Sequence, residues 1–184
     1  MFRPLALASL ALGCALAASA ETCPAPEPTR DGSRDFDFEI GAWKTHVKRL
    51  KGALTGSGTW VEYEGTSVVR GVLDGRANLV ELSITGPAGR IEGAALRLYE
   101  PQAKRWTINY FSVADGQLTA PLSGTFSEGR GVFCGDDTLS GKPIQVRFVI
   151  SKVDANTWRF EQAFSADRGK TWEVNWVATD TRAG

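Results

Sequence analysis

The 184-residue sequence has one histidine, one methionine and three cysteines, and no excess of charge of either sign, with 21 Lys and Arg against 21 Asp and Glu. Each shortage excludes a class of function. A single His, His46, and scattered Cys cannot supply the ligands of an H-E-x-x-H or C-x-x-C site, and no EF-hand spacing occurs, so no metal is expected. The charge balance and the lack of a basic block argue against nucleic acid as a partner. The G-x-S-x-G, P-loop and dinucleotide-glycine fingerprints are missing as well. Asp136-Asp137 is the one adjacent carboxylate pair. Consecutive strand residues point to opposite faces, and in a loop the two would be solvated turn residues. No motif assigns a reaction, so whether the protein is an enzyme is left open.

Long hydrophobic runs are also scarce. The one that stands out, Leu5 to Ala20, follows Arg3 and ends in Ala18-Ser19-Ala20. It is shorter than the roughly 20 residues of a membrane-spanning helix. A charged start, an apolar middle and a small-x-small end read as a secretory signal over residues 1–20, cleaved after Ala20. Lipidation at Cys14 is the alternative, but Ala11-Leu12-Gly13 is a poor acylation box. The mature chain is expected to be periplasmic or secreted, without a transmembrane segment.

Residues 21–33 are Pro-rich and polar and read as a linker, and the domain is expected over residues 34–184. Cys23 and Cys134 survive cleavage in a compartment where disulfides persist. A bridge between them would stabilise by roughly 4 to 5 kcal/mol in the chain-entropy model. The alternative is one thiol in the tail and one buried.

What the domain does have is aromatic residues and glycine: all 6 Trp and all but one of the 20 Gly lie beyond residue 20. Runs of period-two alternation are separated by Gly, Asp or Pro breaks, giving ten candidate strands: 42–50, 59–70, 77–85, 91–100, 105–113, 117–127, 131–135, 144–153, 157–165 and 171–181. Trp43, Val47, Leu50 and Leu54 also fit a helical spacing, but β-branched Thr45 and Val47 favour a strand. Consecutive short antiparallel strands with hairpin-length turns predict an all-β fold. It is a single up-and-down β-barrel of about ten strands, whose closure removes exposed edges.

Strand phase assigns the faces. Trp106, Ile108 and Tyr110 share one side, as do Ile144, Val146, Phe148 and Ile150, then Trp158, Phe160, Gln162 and Phe164, then Trp172, Val174 and Trp176. These sets are expected inside. Thr107, Asn109, Gln145, Arg147, Arg159, Glu161, Glu173 and Asn175 are expected on the solvated face, with Glu161 and Asn175 opposite each other on one hairpin.

Gly41-Ala42-Trp43, preceded by Asp35-Phe36-Asp37-Phe38, resembles the opening of a calycin (lipocalin-type) barrel. In that family a G-x-W Trp closes one barrel end and a late basic residue packs across it; Arg182 fits the second role. The domain also resembles an uncharacterised exported bacterial family with a lipocalin-like barrel. The matching stretches run from Asp35 to Trp43, and from Glu161-Gln162-Ala163-Phe164-Ser165 into Thr171-Trp172-Glu173-Val174-Asn175-Trp176. The resemblance spans about Asp35 to Arg182. Arg168 stands where that family usually has Gly, and Cys134 where an aromatic is common. The family has no assigned reaction, so no catalytic residue carries over.

Ser165-Ala166-Asp167-Arg168-Gly169-Lys170-Thr171-Trp172 fits the Asp-box pattern of sialidase-like propellers. One copy in a chain of this length describes a hairpin, with Asp167 accepting turn N–H groups and Trp172 packing beneath. The related nitrobindins bind haem through a His. Here His46 shares a strand side with Lys44 and Lys48, opposite Trp43, so it is expected to face water and no cofactor is expected.

The composition and the barrel analogy together lead to an expected small-molecule-binding barrel. Its partner is a small apolar or amphipathic ligand held by Trp106, Tyr110, Phe148, Trp158, Gln162 and Trp176. Two alternatives stand beside it. One is a solid-core interaction module, since six Trp can fill such a barrel. The other is a small periplasmic enzyme using Gln162, or Glu161 and Arg147 if the faces are inverted.

Overall fold

The computed structural model describes Cys23 and Arg30 to Gly184. The proposed signal, including Cys14, and most of the linker lie outside the described residues. The ten strands are β1 (Gly41–Leu50), β2 (Trp60–Val72), β3 (Ala77–Gly86), β4 (Gly89–Glu100), β5 (Arg105–Ser112), β6 (Leu122–Ser127), β7 (Arg130–Leu139), β8 (Lys142–Lys152), β9 (Thr157–Ser165) and β10 (Glu173–Arg182). Each pairs antiparallel with its neighbour in sequence, and β10 returns to β1, closing the barrel. The 42–50 segment is therefore a strand. Its helical spacing is incidental, because Thr45 and Val47 point inward at period two.

Turn chemistry sets the registers. Glu128-Gly129 and Ser140-Gly141 each join paired residues, Ser127 to Arg130 and Leu139 to Lys142. All four turn residues have positive φ, from 50° to 77°, the mirror-image turn that matches strand twist. Inside β6, a side chain on Gly124 would collide with the Val132 carbonyl on β7, so only glycine permits that close approach.

The largest departures from the sequence expectation are two strand boundaries and one register slip. The sixth strand begins at Leu122 rather than Gln117, because residues 113–121 form a loop that folds back on β5, with Thr119 N–H donating to the Tyr110 carbonyl at 2.8 Å. The seventh runs on to Leu139 instead of stopping at Gly135. In β10 the register slips between Val174 and Trp176, which makes Asn175 a bulge. Bulges insert one residue and reverse the facing of what precedes them.

One barrel end is plugged. The chain enters through a 3-10 turn, Asp37–Glu39, and Phe36 packs edge-on against Trp106 and Phe126, each at 4.9 Å between ring centres. Trp43, Phe133 and Trp158 complete this aromatic cluster. Trp43 Nε1 donates to the Glu39 carbonyl at 2.6 Å, and Trp106 Nε1 to that of Gly32 at 2.9 Å, so the indole N–H groups fasten the entering segment. Cys23 is bonded to Cys134 of β7, with Cα atoms 5.9 Å apart, within disulfide reach.

Candidate functional site

Above the plug the barrel is hollow. A cavity of about 1110 Å³ runs from the plug to the mouth, where Lys51, Ala88, Val113 and Ser140 of the loops after β1, β3, β5 and β7 surround it. Tyr110, Phe148, Trp158, Gln162 and Trp176 all line it. Trp106 does not; it is buried in the plug beneath, bonded to Gly32. Its strand phase is inward as expected, but its height on β5 places it below the cavity.

The bulge redistributes the last strand. Asn175, expected on the solvated face, is buried and lines the cavity, where its Oδ1 accepts from Gln162 Nε2 at 2.7 Å. Glu161 instead pairs with Val177, so Glu161 and Asn175 do not face each other. Trp172, expected inside, lies before the bulge and is not part of the cavity. Its ring sits beside the guanidinium of Arg147, 4.6 Å away, on the other face of the sheet. Val174 likewise does not line the cavity.

The Asp-box segment is a tight hairpin. Asp167 Oδ1 accepts from Thr171 N–H at 2.9 Å and from Ser165 Oγ at 2.8 Å, and Thr171 Oγ1 donates to Oδ2 at 2.7 Å. These donors favour the ionised carboxylate, with the Thr171 N–H the largest influence, and lower its pKa to about 2. His46 lies outside the barrel, with Nε2 3.0 Å from Glu62 Oε2. Asp136 and Asp137 fall on opposite sides of β7, Asp136 beside Gln145. Among the described residues no group of three His, Cys, Asp or Glu is placed to hold a metal ion.

The cavity also has a polar floor that no sequence motif marks. Thr45, Ser67, Arg97 and Asp180 point inward from β1, β2, β4 and β10, and all four are buried. The Asp180 carboxylate accepts from both hydroxyls on the same oxygen, Oδ1: from Thr45 Oγ1 and, at 2.8 Å, from Ser67 Oγ. Burial pushes its pKa up to about 6, against the opposing pull of those two hydroxyls and of Arg97. Arg97 Nη1 donates to Glu39 Oε2 at 2.8 Å, both side chains almost wholly buried, and its guanidinium covers the Phe36 ring at 4.1 Å. Burial also raises the Glu39 pKa, with Arg97 opposing. Trp158 Nε1, buried beside this group, has no hydrogen-bond partner.

No family model matches the sequence, and a search of curated proteins found no significant match. Among solved structures, the chain is similar to EF1p2_mFAP2b bound to DFHBI, at 10% identity and TM-score 0.46 over 83% of this chain and 99% of that one. It is also similar to a de novo designed fluorescence-activating β-barrel, at 10% identity and TM-score 0.44 over 84% and 99%. A redesigned β-barrel matches at 8% identity and TM-score 0.44 over 85% and 98%. The closed barrel is established by the strand pairing itself; these likenesses are too distant to add to it.

Proposed function

We propose that this is an exported protein that binds a small, partly apolar molecule inside its barrel. The observation that carries the proposal is the hollow interior: a cavity of about 1110 Å³ with aromatic walls and a few convergent polar groups, the usual composition of a small-molecule site. Export is supported by the signal-like first 20 residues and by the Cys23–Cys134 disulfide. No helix among the described residues is long and apolar enough to cross a membrane. The solid-core interaction module is disfavoured, since its premise is a filled barrel.

The test is untargeted mass spectrometry of small molecules carried through gentle purification. A stoichiometric organic species is the expected result; empty protein that also takes up no apolar probe would refute the proposal. One observation favours a second reading. A buried carboxylate with a pKa of about 6 is suited to proton transfer near neutrality, so Asp180 is the group an enzymatic role would use, in place of Glu161 and Arg147 on the other face.

A further inference from the structure

We propose that the cavity floor recognises a neutral hydroxyl group on its ligand, held between the Asp180 carboxylate and the Trp158 indole N–H. The inference rests on the small-molecule reading above and specifies which end of the ligand goes in first.

Asp180 and Trp158 are directly opposed on β10 and β9 and both line the cavity. Opposed residues on one sheet face have Cβ atoms about 4.5 to 5.5 Å apart, so one small group can reach both. Each brings an unused valence. Trp158 is 4% exposed and its Nε1–H has no partner; a buried donor left unmade costs roughly 1 to 3 kcal/mol. Asp180 is 1% exposed, and both of its hydroxyl donors go to Oδ1, so Oδ2 receives none among the described residues. The floor thus offers the indole N–H as donor and Oδ2 as acceptor on one sheet face, with Arg97 Nε a second unpartnered buried donor lining the same cavity.

Charge narrows the choice. A carboxylate ligand would meet the Asp180 carboxylate, and Arg97, the cation of the floor, is already paired with Glu39. A cation would satisfy Asp180 but would face Arg97 and leave the indole N–H orphaned. A hydroxyl oxygen donates to Oδ2 and accepts from Nε1 in one atom. The apolar body then extends toward the mouth past Phe148 and Phe160.

The test uses the mature protein and four probes of one shape: 4-octylphenol, octylbenzene, 4-octylbenzoate and 4-octylbenzylammonium, titrated by calorimetry. The phenol is expected to bind about tenfold or more tighter than octylbenzene, the advantage of a hydrogen bond to a charged group. That advantage should shrink to within about threefold in Trp158→Phe, which keeps an aromatic side chain but removes the N–H, and in Asp180→Asn. Unchanged octylbenzene binding shows that a variant keeps its cavity; where one variant loses it, the other decides. Equal affinities for phenol and octylbenzene would overturn the hydroxyl site while leaving the cavity reading intact, and so would tightest binding of either ionic probe. Failure of all four would overturn both.

Discussion

Arg182 lies across Trp43, its guanidinium carbon 4.1 Å from the ring centre, at the first pair of the β1–β10 ladder. Arg182 also donates to the carbonyls of Ile40 and Phe38, at 3.2 and 3.3 Å. The end of the chain therefore holds the plug at the point where the barrel closes. Gly41 has φ of 132°, and a Cβ on it would come within 2.8 Å of Arg182 Nη1, which explains the glycine of the G-x-W segment. Trp43→Ala should lower unfolding free energy by about 3 to 5 kcal/mol as a core truncation. Arg182→Ala should cost less, about 1 to 2 kcal/mol, because its head is partly solvated. Urea melts measure both; a larger loss from Arg182→Ala would contradict this closure.

Glu39 and Arg97 form a buried ion pair that ties the plug to β4. Arg97→Met should cost about 3 to 5 kcal/mol, since it strands the Glu39 charge. The double variant Glu39→Gln, Arg97→Met should recover part of that loss. A double variant less stable than Arg97→Met alone would show that the Glu39 charge is not what makes the single change costly.

Asp180 makes stability depend on pH. Its folded pKa of about 6 lies above the ordinary 3.8 because of burial, so the native state holds this proton longer than the unfolded chain. The contribution is complete below about pH 4 and is lost as pH rises through about 6. Arg97 is common to wild type and Asp180→Asn, whereas Glu39 is coupled to Asp180, whose charge raises its pKa, so the comparison reads the titration of the Glu39–Asp180 pair. Relative to that variant, wild type should lose about 2 kcal/mol between pH 4 and pH 7, then stay level. A difference that does not change with pH would exclude a raised pKa at Asp180.

Much of this was legible in the sequence, and the residues show why the rest was not. Strands such as β3 and β9 announce themselves because alternation and flanking turn residues agree. The start of β6 is hidden because Leu118 and Thr119 keep the apolar–polar alternation while belonging to a loop that meets β5 through one isolated bridge, Phe111–Leu118. The bulge at Asn175 has no sequence mark and inverts the facing of the residues before it, so strand phase counted back from Trp176 places Val174 and Trp172 on the wrong side. The phase of the floor is readable, since Asp180 shares a strand side with Trp176 and Ala178, and Arg97 with Ala95 and Tyr99. Charged residues read as solvent-facing unless a partner is visible, and the partners here come from distant strands.

The Cys23–Cys134 bond joins residues 111 apart. Secreted protein starting at Glu21 should show no free thiol when unfolded without reductant, and Cys134→Ser should lose roughly 2 to 5 kcal/mol. Two free thiols, or an N-terminal mass that includes a lipid on Cys14, would contradict the disulfide or the signal cleavage respectively.

The hollow, ligand-taking barrel is tested most directly by the six indole N–H resonances of 15N-labelled protein during titration with octylbenzene. Trp158 and Trp176 line the cavity, whereas Trp60 and Trp172 do not, and Trp→Phe variants assign them. Saturable shifts of Trp158 and Trp176, with Trp60 and Trp172 unmoved, are the predicted result. Shifts confined to Trp60 and Trp172, or no shift at any indole, would mean that nothing enters the barrel.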